Sequence, residues 1–435
     1  MMTSAIRRWA LVALLAGWSL ATSALAQKTA GERTVHRSKD LGWKANQDVT
    51  KEFSKLLTDG TLKAGDELVL DHKYRIRGSY VLPANVTLSA VQGGGFDVTD
   101  ARENQRPLLT LDNSDTLNNL TITYLNTPEL GGRGIRHGVD FLDKQAISAS
   151  GKHNLTIKNC RLEGMVAIHI RLDDCKKVQL IGCHIIGGFW AVTPDVTDFV
   201  ARRCLFEKSC GDSMKVSLRR ARVENCVFQD NGRDGLDSTG GINDSVIRNS
   251  IFRRLGVCGL DIKSHYETRT GRIEDVRPEN IGIRVEKCLF HDMPNAIVLT
   301  TLDNDRRRGM KDLLTAANMK TYAPHDIEIN ECVFGHVETP LRPTRKGGYG
   351  VDYPKQQEYM RLILLKDAYD ISYRDARTFG DRIMPVLVHS IGGSKALSRE
   401  AAEAIDRSLS GNVLDEPAPP VQPGVTEVPF ACGPQ

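Results

Sequence analysis

The chain has no marked excess of charge of either sign: 58 Lys and Arg stand against 54 Asp and Glu over 435 residues, a formal +4. Two of the positive charges, Arg7 and Arg8, fall in an N-terminal segment that reads as removable, and without them the balance is +2. A chain so close to neutral is not a general nucleic-acid binder, although a local basic groove can still hold a polyanion. Long apolar runs are also scarce. Apart from Trp9 to Leu20, no stretch approaches the ~20 apolar residues of a membrane span. That run follows Arg7-Arg8 and precedes Ala24-Leu25-Ala26, the order of a cleaved secretory signal over 1–26. The sequence thus predicts a secreted or periplasmic protein with no membrane span.

Ten cysteines in an exported protein ordinarily suggest disulfides. Here six of them recur at one position of a repeated phrase: Cys160, Cys183, Cys204, Cys226, Cys288 and Cys332, with Ser250 replacing one. The first four gaps between these positions are 23, 21, 22 and 24 residues, and the last two are 38 and 44. A nearly fixed period of this size means stacked coils. In-register side chains on coils ~4.8 Å apart point the same way, which holds their Cβ atoms beyond disulfide range. The six are therefore expected to form an internal thiol ladder. Cys175, Cys210, Cys258 and Cys432 are left open.

A second β-like phrase lies about ten residues after each first one, for example Met214-Lys215-Val216-Ser217, Gly235-Leu236-Asp237-Ser238 and Gly259-Leu260-Asp261-Ile262-Lys263. Two strands per coil exclude a leucine-rich repeat, whose coils alternate a strand with a helical arc. The fold class is all-β, a parallel β-helix. Asn85, Asn119 and Asn154 each open a polar-apolar alternation and read as turn residues, although each also matches a glycosylation sequon. Leu205, Val227, Ile251, Leu289 and Val333 are apolar at outward positions, which implies that this face is covered.

The chain divides into a signal (1–26), an N-terminal cap with a short amphipathic helix (27–66), the β-helix (67–390) and a C-terminal extension of helix and Pro-rich tail (391–435). Two insertions, 265–280 and 303–324, account for the long gaps and are candidates for selecting the ligand.

Stacking the second strands puts Met214, Leu236, Leu260 and Ile297 inward, so that Lys215, Asp237, Asp261 and Val298 point outward. Two positions further on, Arg171, Asp195, Ser217, Thr239, Lys263 and Thr300 are expected to form a second outward column. Asp212 and Asp234 fall in register at the turn before the strand. Asp237 directly over Asp261 places like charges ~5 Å apart, which is unfavourable unless a positive group intervenes. Calcium is one such group, bound by Asp212, Asp234, Asp237 and Asp261; Lys215 and Lys263 are the other.

The cap helix, the Asn-Cys-x-Phe coils and Asn231-Gly232-Arg233-Asp234-Gly235-Leu236-Asp237 resemble the pectate-lyase-like superfamily of right-handed parallel β-helices. The Asp-Gly-x-Asp phrase followed one coil later by a lysine is similar to polysaccharide lyase family nine, with Arg233 standing where a further aspartate is expected. The resemblance implies calcium held by Asp212, Asp234 and Asp237, with Asp261 a further candidate, and Lys263 as the base that removes the proton beside a uronate carboxylate. His265 and Tyr266 are alternative base or acid groups. Arg171, Lys215, His169 and Arg269 are candidates for gripping the polymer. The expected activity is β-elimination on an acidic polysaccharide by a monomeric enzyme. A C5-epimerase would use the same proton abstraction. A glycoside hydrolase needs paired acids, and the chain has no Gly-His-Gly phrase of the polygalacturonase kind. A non-catalytic carbohydrate-binding or adhesion solenoid is the remaining alternative.

Overall fold

The computed structural model describes residues 33–99, 106–125, 145–164, 166–266, 280–303, 324–335, 360–366, 371–374, 377–379 and 383–389. The signal segment, the insert residues 267–279 and 304–323, Cys432 and the C-terminal extension lie outside the described residues.

All strand pairings are parallel, and each strand pairs with its counterpart one coil away, which makes a β-helix. Each coil contributes three strands, where the sequence phrases predict two. One coil runs through Leu205–Glu207, Met214–Arg219 and Arg222–Glu224. The third strand escapes sequence reading because it is three residues long with a single apolar member, Val223, so no alternation is visible. In the preceding coil it is fused to the second strand as Trp190–Arg202. The first strands of the coils form an 11-stranded sheet and the others a 21-stranded one.

The turn between coils is made by one residue in the left-handed region. Asn159, Asn225 and Asn249 fill it with φ of 53°, 55° and 50°, and Asn85, Asn119 and Asn154 adopt similar values at the strand openings. Asparagine tolerates this conformation better than most side chains, which explains its recurrence there.

The interior is built from side-chain ladders. Phe206, Phe228, Phe252, Phe290 and Phe334 stack with ring centroids 4.9, 4.6, 4.9 and 5.3 Å apart. The column Val192, Met214, Leu236, Leu260, Ile297 is fully buried in register. The six repeat cysteines, like Cys175 and Cys258, are buried and form no disulfide among the described residues, and Cys210 is half-buried. Four of the ladder thiols donate to carbonyls of the coil before: Cys183 to Ile157 at 3.3 Å, Cys204 to Leu180 at 3.4 Å, and Cys288 to Ile247 and Cys332 to Val285 at 3.6 Å. The outward apolar column from Leu205 to Val333 is in register and half-buried.

Helix Thr50–Thr58 closes the N-terminal end by burying Phe53 and Leu56 against the first coils. Among the described residues, no helix is long and apolar enough to cross a membrane.

Candidate functional site

Strand alternation does for this site what the sequence predicts. Lys215 pairs with Asp237 and Asp237 with Asp261, so three charged side chains stand in one outward column beside the buried Met214, Leu236 and Leu260. Lysines supply the positive charge between the carboxylates. Lys263 Nζ lies 2.9 Å from Asp237 Oδ1 and hydrogen-bonds Asp261 Oδ2, while Lys215 Nζ lies 3.6 Å from Asp237 Oδ2.

Lys263 reaches both acids because the neighbouring strand bulges. Lys215 is opposite Asp237 but Ser217 is opposite Gly241, so Asp237 to Gly241 holds two extra residues. Two glycines make the bulge: Gly241 has φ +91°, and a Cβ on Gly240 would meet that of Ser217 at 2.5 Å. In place of ladder bonds, the Ser238 hydroxyl accepts the Lys263 N–H at 2.8 Å and donates to the Lys263 carbonyl at 3.4 Å. The second outward column is therefore broken. Thr239 falls in the bulge, and the regular register from Ile168↔Trp190 sets Arg171 opposite Thr193 and not Asp195, ahead of a further shift between Leu172 and Cys175. Arg171 belongs instead to the column of Lys215, two coils earlier.

Asp212 and Asp234 occupy equivalent turn positions on successive coils, both fully buried. Asp212 Oδ1 accepts the Asp234 N–H at 3.4 Å and lies 3.7 Å from Arg233 Nε. Asp234 Oδ1 accepts the Cys258 N–H at 3.1 Å and its thiol at 3.2 Å. Two buried carboxylate oxygens, Asp212 Oδ2 and Asp234 Oδ2, have no hydrogen-bond partner. Asp237 Oδ1 faces the Lys263 ammonium at 2.9 Å. Ligand atoms of these three aspartates lie within 4.8 Å of one another. Two orphaned hard oxygens and a third that faces only an ammonium fit a cation of the calcium or magnesium type. Asp261 stands apart from that trio, in a second group with Asp234 and Cys258.

Burial pushes the Asp234 carboxyl well above the usual range, and Asp212 and Asp261 push it further. Burial also raises Asp212 against the pull of Arg233, and raises Asp261 against the pull of Lys263. Asp237 ends below its ordinary value because Lys263 and Lys215 outweigh its burial. Burial favours a neutral Lys263, but Asp261, Asp237 and Asp234 outweigh it and hold the ammonium charged.

The other expected residues disperse. His169 is fully buried, with Nε2 3.1 Å from the Ile186 carbonyl, so it cannot grip a polymer from there. Its alternation is outward, but the glycine turn of the next coil lies on it: a Cβ on Gly188 would stand 3.0 Å from His169 Cδ2. Arg171 is on the outer face, its Nε donating to both oxygens of Asp173 at 3.1 and 2.8 Å. His265 and Tyr266 continue the strand Cys258–Tyr266 opposite Leu302 and Asp303, where the sequence suggests a loop. Arg269 lies outside the described residues.

Trp190 went unread. The Lys215 ammonium sits over its ring, 4.8 Å from the centroid. The period contains the signal: Trp190 is 22 residues before Asp212, which is 22 before Asp234.

No protein-family model and no curated protein matches the chain. Solved structures do. PfbA, a surface adhesin of Streptococcus pneumoniae, superimposes with TM-score 0.55 at 11% identity, over 83% of this chain and 93% of that one. The Dettilon tailspike protein (gp208) superimposes with TM-score 0.50 at 12% identity, over 82% and 68%. Pectate lyase Pel9A superimposes with TM-score 0.40 at 9% identity, over 76% and 84%, too loosely to carry an argument. Identities this low show the fold alone, a right-handed parallel β-helix.

Proposed function

We propose that this protein is an exported, monomeric polysaccharide lyase that cleaves a uronate-containing polymer by β-elimination, with Lys263 as the base. The observation that carries the reading is the position of Lys263: a nearly buried ammonium between Asp237 and Asp261, beside two carboxylate oxygens without partners.

Elimination across a uronic acid requires that the carboxylate be neutralised, which acidifies the neighbouring carbon, and that a base take the released proton. Asp212, Asp234 and Asp237 would hold calcium, whose chemistry when bound is charge neutralisation at the substrate carboxylate. Lys263 is charged while Asp237, Asp261 and Asp234 act on it freely. It becomes a base only when their charge is engaged elsewhere, which ties the activity to the same three carboxylates. Arg233, at 3.7 Å from Asp212, competes for that carboxylate and favours a modest affinity for the ion.

One observation favours a second reading, glycoside hydrolysis. Asp237 and Asp261 are neighbours whose surroundings drive them apart, one below and one above its ordinary pKa, as a base and an acid require. Incubation with polyuronates separates the two: elimination leaves an unsaturated sugar that absorbs in the ultraviolet, and hydrolysis leaves reducing ends without it. An epimerase would change the polymer's composition and cut nothing, and an adhesion solenoid would retain it unchanged.

A further inference from the structure

The outward column that contains the acids is electrically one-sided. Reading along the solenoid it runs Ser148, Arg171, Thr193, Lys215, Asp237, Asp261, Val298. Positive groups lie only on the N-terminal side of the carboxylates, and the coil beyond Asp261 presents an uncharged valine.

Lys215 is the positive group next to the acids, and its position is fixed from two sides. The Trp190 ring holds its ammonium at 4.8 Å, an arrangement that stabilises a cation by the negative face of the indole. Trp190 is itself braced by Phe189, ring centroids 4.9 Å apart and tilted by 55°. On the other side Asp237 Oδ2 lies 3.6 Å away, longer than a hydrogen bond, so this carboxylate leaves the three N–H donors of the ammonium available. About a quarter of the Lys215 side chain is open to solvent. A flexible lysine has thereby lost most of its freedom while keeping its donors, which is the condition for binding an anion without an ordering cost.

We infer that Lys215, held over Trp190, is a subsite for the carboxylate of a uronate unit on the N-terminal side of the reacting one, with Trp190 as its positioning residue and Arg171, two coils or about 10 Å further on, extending the same track. The inference deepens the polyuronate reading and rests on it for the ligand class. The unit over Val298 is not recognised by charge.

The test measures affinity of the full-length mature protein for polygalacturonate and for the same polymer with its carboxylates methyl-esterified. Wild type should prefer the acid form. Lys215→Gln should weaken binding of the acid form about tenfold or more while leaving the ester unaffected, and Lys215→Arg should restore most of the loss. Trp190→Phe, which keeps an aromatic face, should bind nearly as wild type, and Trp190→Leu should fall toward Lys215→Gln, with melting temperatures recorded for each. An acid preference unchanged by Lys215→Gln, an equal loss for both polymers, or no binding of polygalacturonate by wild type would overturn the subsite. Lys215-dependent binding without unsaturated product would support the subsite and defeat the lyase. Elimination with affinity unchanged in Lys215→Gln would do the reverse.

Discussion

Asp237 and Asp261 stand opposite each other on adjacent parallel strands, two acids in one register pair, with the Lys263 ammonium in contact with both. A β-helix repeats its side-chain positions from coil to coil, so a like-charge pair is a standing cost that the fold must meet at each such position. Here it is met by a lysine brought within reach by a two-residue bulge in the strand before it.

The bulge is accordingly open to test. Gly241→Ala puts a Cβ at φ +91°, where an L side chain is strained by about 1–2 kcal/mol. A fall in melting temperature together with a loss of turnover larger than that of a comparable change at Gly151, an exposed turn glycine with open space around it, is the expected result. Equal effects at the two glycines would detach the bulge from the placement of Lys263.

Cation binding should show in stability. Calcium is expected to raise the melting temperature of wild type and to do so much less in Asp234→Asn and Asp237→Asn, because each substitution removes one of the three clustered carboxylates that would hold the ion. An equal response in all three proteins would leave Lys215, Lys263 and Arg233 as the counter-charges of the cluster.

Much of this was legible in the sequence, and the part that was not has a physical reason. The Cys and Phe period gave the coils, and alternation from Met214, Leu236 and Leu260 put Lys215, Asp237 and Asp261 in one column, because both depend only on spacing. The bulge was not legible, since Ser238-Thr239-Gly240-Gly241 reads as strand until its partner is known. Nor was the burial of His169. Its alternation is outward, and what covers it is a turn of the next coil. Trp190 was passed over because its role is seen only when Lys215 is placed over it.

His169 offers a pH test. Its complete burial depresses its pKa to about 4, against 6.5 for a free side chain. The neutral form is favoured on folding, so its contribution is complete above about pH 6.5 and is lost as pH falls toward 4, on the order of 3 kcal/mol. Stability of wild type should decline across that window, and His169→Gln should flatten the decline. Identical slopes in the two proteins would show that other groups govern it.

The thiol ladder predicts that Cys160, Cys183, Cys204, Cys226, Cys288 and Cys332 resist thiol reagents in the native state and react once the protein is unfolded. Native labelling of most of them, or disulfides joining neighbours in the series, would contradict the packing of the interior.

The central claim, that Lys263 is the base of an elimination, is tested most directly by following ultraviolet absorbance of polyuronates with wild type and Lys263→Arg in the presence of calcium. Lys263→Arg retains the positive charge between Asp237 and Asp261, so its melting temperature should stay near that of wild type, whereas Lys263→Ala would strand two acids. Guanidinium stays protonated and cannot serve as a base. The account predicts absorbing product from wild type, dependent on the divalent ion, and a loss of 10²- to 10⁴-fold in folded Lys263→Arg. Near-normal rates in Lys263→Arg, with the loss found in His265→Ala or Tyr266→Phe instead, would contradict it.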